Sequence, residues 1–242
     1  MSRNAEVLSL HVLGSGGSAS HVYDGECSAS MVICRDGQPV LLIELGPGTT
    51  HECLRRFGIL PGHIIISHNH TDHAGELPVV LRVECKAGRR LHIHAEQEVV
   101  RRLKTHRMAE HHDIVAPDEL AVWHPVAAGA TGALFDDLSL EFIRGVHSEY
   151  SCGMLLKRDG KPLLGYSGDS AFSEQLYDRL REAPLVIYDA RPGLSRWHAS
   201  FEQVRGILRP GDAVIGHGVH REDAPEGMPL LFASDVLALG GD

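Results

Sequence analysis

Ile64-Ile65-Ile66-Ser67-His68-Asn69-His70-Thr71-Asp72-His73 is the stretch on which the reading of this chain turns. Three β-branched residues in a row predict a buried strand. Four metal-competent side chains then follow the strand within six positions. In an extended segment, side chains two apart share a face, so His68 and His70 can grip one ion. The chain must then turn, which makes Asp72 and His73 available to a second ion. Imidazole and carboxylate are ordinary ligands for zinc and also suit iron or manganese. A polar, histidine-rich loop is the plainer alternative, and four such side chains directly after a buried strand argue against it.

The same arrangement recurs along the chain. Val146-His147 closes a strand over Leu138 to Val146. Tyr166-Ser167-Gly168-Asp169-Ser170 is a strand end, a glycine turn and an acid. Leu185 to Asp189 is a buried strand ending in an acid, and Ala213 to His217 is one ending in histidine. Side chains at strand ends converge on one rim of a sheet, where α/β proteins place ligands. Glu44, at the end of the strand from Pro39, is an acid on an apolar run, and burying it unpaired would be costly. Orienting the metal loop is a fitting task for it and for Asp189.

Between these points, Val7 to Leu13 and Ala29 to Cys34 read as strands, with Asp36-Gly37 as a hairpin turn. Helices are expected over His51 to Phe57, Glu76 to Cys85, Glu96 to Arg107, Glu174 to Glu182 and Phe201 to Leu208. Short strands are expected at Leu91 to His94, Leu120 to Pro125, Met154 to Lys157 and Pro162 to Tyr166. Gly129 to Asp137 reads as a turn-rich connection, and Met228 to Leu239 as a short closing helix. The Gly14-Ser15-Gly16-Gly17-Ser18 loop lacks the Lys-Ser/Thr of a P-loop and is read as a tight turn near the site. His21, His106, His111 and His112 are read as solvated. Strands early and late, separated by helices, fit an α/β sandwich of two mixed sheets with helices outside.

A chain of 242 residues with 43% hydrophobic content supports a sizeable core, and residues 1–242 read as one domain. No basic segment leads into an apolar stretch at the N-terminus, and no apolar run nears the roughly 20 residues that span a bilayer. The expectation is a soluble cytoplasmic protein with no membrane partner. A formal net charge of −9 opposes nonspecific nucleic-acid binding. Arg89, Arg90, Arg101, Arg102, Lys104 and Arg107 form a local basic cluster that reads as a solvated helix face. Five scattered cysteines without a CxxC read as reduced core thiols, with Cys152 set apart only by its closeness to His147. A homodimer is the default oligomer.

The motif His68-x-His70-x-Asp72-His73, followed in order by His147, Gly168-Asp169-Ser170 and His217, resembles the metallo-β-lactamase-fold hydrolase superfamily. Leu13 to Gly17, Leu45-Gly46-Pro47-Gly48, Tyr166 to Asp169 and His198-Ala199-Ser200 look like its ribonuclease Z and phosphodiesterase branch. The resemblance implies a four-layer αβ/βα sandwich with a dinuclear site between the sheets. One metal would take His68, His70 and His147, the other Asp72, His73 and His217, with Asp169 bridging them. His198 matches an extra histidine thought to aid the leaving group. Asp72 would serve as ligand or proton acceptor.

Two departures from the family's pattern matter, the first for the metal loop and the second for the substrate. Glu44 stands where the family usually has aspartate. His147 and Asp169 are joined by little more than a hairpin, without the tRNA-gripping arm, so a small or nucleotide-like phosphodiester is expected and tRNA is not. The implied chemistry is attack by a metal-bridging hydroxide, since a zinc-bound water can have its pKa lowered to about 7. Zinc is the first expectation for the two divalent ions, with manganese or iron as alternatives. Three rivals remain at this stage: thioester or lactone hydrolysis on the same metals, a mono-iron dioxygenase using only His68, His147 and Asp169, and a non-catalytic metal-binding regulatory protein.

Overall fold

The computed structural model describes residues 6–17 and 23–240; Ser18 and His21 lie outside them. Two seven-stranded sheets face each other. In the first, β1 (Leu8–Gly14), β2 (Ser30–Arg35) and β3 (Gln38–Ile43) pair antiparallel, and β14 (Val236–Leu239) adds to the free side of β1. From β3 onward the pairing turns parallel through β4 (His63–Ile65), β5 (Leu91–Glu96) and β6 (Ala121–Val126).

The second sheet repeats this plan. β7 (Thr131–Phe135), β8 (Leu138–Arg144), β9 (Cys152–Arg158) and β10 (Lys161–Tyr166) pair antiparallel. β11 (Leu185–Asp189), β12 (Ala213–Ile215) and β13 (Leu230–Leu231) then run parallel to β10. The parallel strands of each sheet therefore end on one rim. Because β8 and β10 are both antiparallel to β9, β8 ends there too.

Alternation along each strand builds the layers. On β3, Leu41 and Ile43 join Ile65, Phe142, Met154, Leu164 and Ile187 in the core between the sheets. Leu42, Ile64 and Ile66 point the other way. There they meet α1 (Thr49–Phe57), α3 (Leu77–Lys86) and α4 (Gln97–Arg102) through Cys53, Leu77, Leu81 and Val99; the short α2 (Thr71–Ala74) precedes α3. Behind the second sheet, Val186, Tyr188 and Val214 pack on α6 (Glu174–Leu180) and α7 (Phe201–Arg205), the last helices after α5 (Pro117–Leu120). The four layers expected from the resemblance are present.

Four sequence expectations are corrected. The tail from Met228 forms β13 and β14 instead of a helix, because each short apolar run finds an open sheet edge. Residues within Gly129 to Asp137 form strand β7, paired to β8. His111 is buried, with Nε2 3.3 Å from the Pro78 carbonyl, whereas His106 and His112 are exposed as expected. The helix expected to Arg107 stops being α at Arg102 and continues as a π turn over Leu103–Arg107. No helix among the described residues is long and apolar enough to cross a membrane.

Candidate metal centre

The shared rim gathers the histidines and acids. Glu44 follows β3, His68 follows β4, Asp169 follows β10, Asp189 ends β11 and His217 follows β12. The turn after β4 carries Asp72 and His73 into α2. Glu44 and His217 adopt positive φ, 66° and 47°, a backbone conformation that costs most residues roughly 1–2 kcal/mol. Strain of this kind gathers where side-chain aim matters more than comfort.

Two sets of ligand atoms meet at Asp169. On one side His68 Nε2 and His147 Nε2 lie 3.1 Å from His70 Nδ1, and 3.9 and 3.7 Å from Asp169 Oδ2. On the other, His73 Nε2 lies 3.3 Å from Asp169 Oδ1, and the His217 ring borders the same oxygen, its Nδ1 at 3.7 Å and turned to Asp189. Asp72 Oδ2 sits 3.8 Å from His73 Nε2 and 3.6 Å from His217 Nε2. Each carboxylate oxygen of Asp169 thus faces its own set. Six side chains from three separate stretches of the sequence thus lie around the Asp169 carboxylate.

Partners behind these rings fix their orientation. His68 Nδ1 is 2.9 Å from Ser67 Oγ, and His147 Nδ1 is 2.9 Å from the Trp197 carbonyl. His73 Nδ1 faces Glu44 Oε1 at 3.5 Å, while Glu44 Oε2 accepts from the Ser67 N–H at 3.2 Å. His217 Nδ1 is 2.7 Å from Asp189 Oδ2, and His198 Nδ1 is 3.3 Å from Asp189 Oδ1. Glu44 and Asp189 therefore stand behind ring nitrogens, and His198 lies beside the cluster, its ring centroid 4.8 Å from that of His147.

Close packing leaves little slack. A Cβ on Gly17 would come within 2.0 Å of His217 Cδ2, and one on Gly46 within 1.8 Å of the Asp72 carbonyl oxygen. Glycine at these two positions lets the loop after β1 and the Gly-Pro-Gly turn press against the site.

The electrostatics suit cations. Burial, reinforced by His73, holds His68 well below its ordinary value. Burial pushes His73 down too, but the charges of Asp169 and Glu44 outweigh it and raise His73 well above. Asp169 is buried, yet His217 and His73 keep it ionised, well below the usual carboxylate range. His73 Nε2, His217 Nε2 and Asp169 Oδ1 are buried without a hydrogen-bond partner among the described residues. Such atoms are costly to bury unless something binds them. Each is a competent donor to a divalent ion, so these residues fit the metal that the fold implies.

Three groups among the described residues have the geometry to hold an ion: His68, His70, His147 and Asp169; Asp72, His73 and Asp169; and Asp169, Asp189, His198 and His217. Cys152 joins none. It is buried in the core between the sheets, where burial pushes its thiol up to about 12. The basic cluster is spent internally. Arg90 donates to the Asp118 and Ala121 carbonyls, Arg101 pairs with Glu98, and Lys104 with Asp118. Arg107, brought round by the π turn, donates to Asn69 Oδ1 at 3.0 Å, inside the metal loop. Nothing in the sequence marks Arg107 out from the other cations of that helix, and the Trp197 carbonyl, a backbone atom, leaves no mark at all.

Comparison with solved structures places the whole architecture. YhfI from Bacillus subtilis, a metallo-β-lactamase-fold protein, superposes with a TM-score of 0.75 at 15% identity, over 96% of this chain and 99% of that one. A diphosphatase of the PhnP family gives 0.70 at 20% identity, over 95% and 97%. The short form of human tRNase Z gives 0.65 at 18% identity, over 95% and 98%. No curated protein matches the sequence. The profile of the beta-lactamase superfamily domain matches residues 60–215, from the strand before the metal loop through β12. Matching profile, fold and site make this chain a member of the metallo-β-lactamase-fold hydrolase superfamily.

Proposed function

We propose that this protein is a metal-dependent phosphodiesterase acting on a small or nucleotide-like phosphodiester, at a site that holds two divalent cations. Zinc is the first choice, with manganese or iron as alternatives. One observation carries the reading: Asp169 turns Oδ2 to the His68, His70 and His147 set and Oδ1 to the Asp72, His73 and His217 set. A mono-iron dioxygenase would need only the first set, and would leave the second without purpose.

Cations bound there would supply Lewis-acid polarisation of a phosphoryl oxygen and ease the deprotonation of a water molecule. The chain's own residues do the rest. Asp169 fixes the spacing of the two sets. Asp189 holds His217 and His198 at once, and with Nδ1 of His198 so engaged, its Nε2 is the nitrogen left to serve a departing oxygen. Asp72, the most exposed of the acids at 15%, stands where it can bind or take up a proton. Between His147 and Asp169 the chain forms only β9, β10 and their turn, and the net charge is −9. Both support a small substrate over tRNA. A cytoplasmic homodimer completes the proposal.

The test is a substrate panel. The zinc- or manganese-loaded protein should hydrolyse bis(p-nitrophenyl) phosphate and lose that activity on chelation. Turnover of thioesters or lactones in its place would retire the phosphodiester reading.

A further inference from the structure

Arg191 is a cation that the centre described above does not use. It follows Asp189 by two residues at the end of β11. In extended backbone, side chains two apart share a face. Ala190 between them points into the core behind the second sheet, so Arg191 turns to the side of Asp189. Its backbone is clamped in that position. The Arg191 N–H donates to the Ala199 carbonyl at 2.9 Å, and the Phe201 N–H donates to the Arg191 carbonyl at 2.8 Å. This pairing sets Arg191 beside the strand-like segment that carries His198.

What sets Arg191 apart is the lack of a counter-charge. Among the described residues its side chain makes no hydrogen bond or ion pair, and its Nε is buried without a partner. Other partly buried arginines here are engaged: Arg35 pairs with Asp137, Arg102 with Glu149, Arg209 with Asp212. A guanidinium is always charged and presents a planar fork that fits two oxygens of a carboxylate or phosphate. A buried donor left unmet is costly, and the asymmetry points to a partner supplied from outside.

We propose that Arg191 is the anion-recognition residue of this site, donating to the non-bridging oxygens of a phosphoryl group in the substrate or product. The inference rests on the phosphodiesterase reading and narrows it: the substrate carries negative charge at the reacting end, which a neutral lactone does not.

The probe is inorganic phosphate, titrated calorimetrically into the metal-loaded protein. Arg191→Ala should weaken phosphate binding about 10- to 100-fold, the range for losing a hydrogen bond to a charged group. Arg191→Lys should recover part of the loss, because it restores the charge without the fork. Metal content is measured on every variant. Should Arg191→Ala fail to load metal, Arg191→Gln, close in size and uncharged, replaces it. A variant with full metal content that binds phosphate as tightly as the parent overturns the proposal. Turnover of bis(p-nitrophenyl) phosphate by the parent is scored separately. If that turnover is absent while Arg191→Ala still loses phosphate, the anion site stands and the phosphodiesterase reading falls.

Discussion

Asp189 Oδ2 lies 2.7 Å from His217 Nδ1, between two groups that are almost wholly buried. The contact fixes the tautomer of the neutral imidazole, since a neutral ring that donates from Nδ1 presents a bare Nε2. That Nε2 faces Asp72 Oδ2 at 3.6 Å, so one acid behind the ring sets which atom the ring offers in front.

Replacing this acid should therefore act on the metal before the fold. In Asp189→Asn the amide keeps the shape and loses the charge. We expect metal affinity at the Asp72, His73 and His217 set to fall about 10- to 100-fold, as for other partners behind metal-binding histidines. The His68, His70 and His147 set should be nearly unaffected. Competition with a graded series of chelators measures both affinities.

Gly46 makes a sharper steric test. A Cβ there would meet the Asp72 carbonyl oxygen at 1.8 Å, and backbone on both sides of the contact leaves no soft atom to yield. Gly46→Ala should cost about 1–3 kcal/mol of stability, the usual penalty for overpacking, and lower metal content at the set containing Asp72. Denaturant unfolding with parallel metal analysis reads both effects.

A second group of histidines, away from the centre, predicts an acid response. His63, His92, His94 and His124 stack across β4, β5 and β6 on the face turned toward the second sheet, with His63 Nδ1 3.0 Å from His94 Nε2 and His92 Nδ1 2.8 Å from His124 Nε2. Burial and the neighbouring rings lower His63 to about 4 and His94 to about 2. Groups lowered in the fold are protonated first in the unfolded chain, so their contribution is intact above about pH 6.5 and drains as the pH falls toward 4. His73 and His217, raised in the metal-free fold, act with the opposite sign, so the comparison must cancel them. Between pH 7.5 and pH 5, the stability of the parent should fall relative to His94→Leu by about 2 kcal/mol, from a buried ring that stays neutral. Urea titrations at the two pH values give the difference, and an unchanged gap would contradict the burial argument.

Much of this site was legible because strand ends are. Ile64 to Ile66 or Leu185 to Tyr188 announce a buried strand, and the polar residues in the few positions after each fall on the rim by geometry alone. His68, Asp169, Asp189 and His217 were readable for that reason, and Glu44 because an acid on an apolar run needs a task. Arg191 and Arg107 were not, since a loop arginine and a helix arginine look the same whether solvated or aimed inward. The histidine stack was half visible: His92 and His94 share a face by spacing, but His63 and His124 join them only through the register of three parallel strands. The tail failed for a related reason. Val236 to Leu239 carries too few residues to distinguish helix from strand, and the unpaired edge of β1 decided it.

Asp169 offers a direct cut. Asp169→Ala should drop bound metal from two ions per chain to one or none and abolish hydrolysis, with the β-sheet signal in far-ultraviolet circular dichroism retained.

The central claim is that seven side chains enclose a pair of cations. Anomalous diffraction from crystals of the zinc-loaded protein, collected on both sides of the zinc edge, tests it most directly. The account predicts two peaks flanking Asp169, one against His68, His70 and His147 and the other against Asp72, His73 and His217. A single peak, or a second one away from Asp72 and His217, would contradict it.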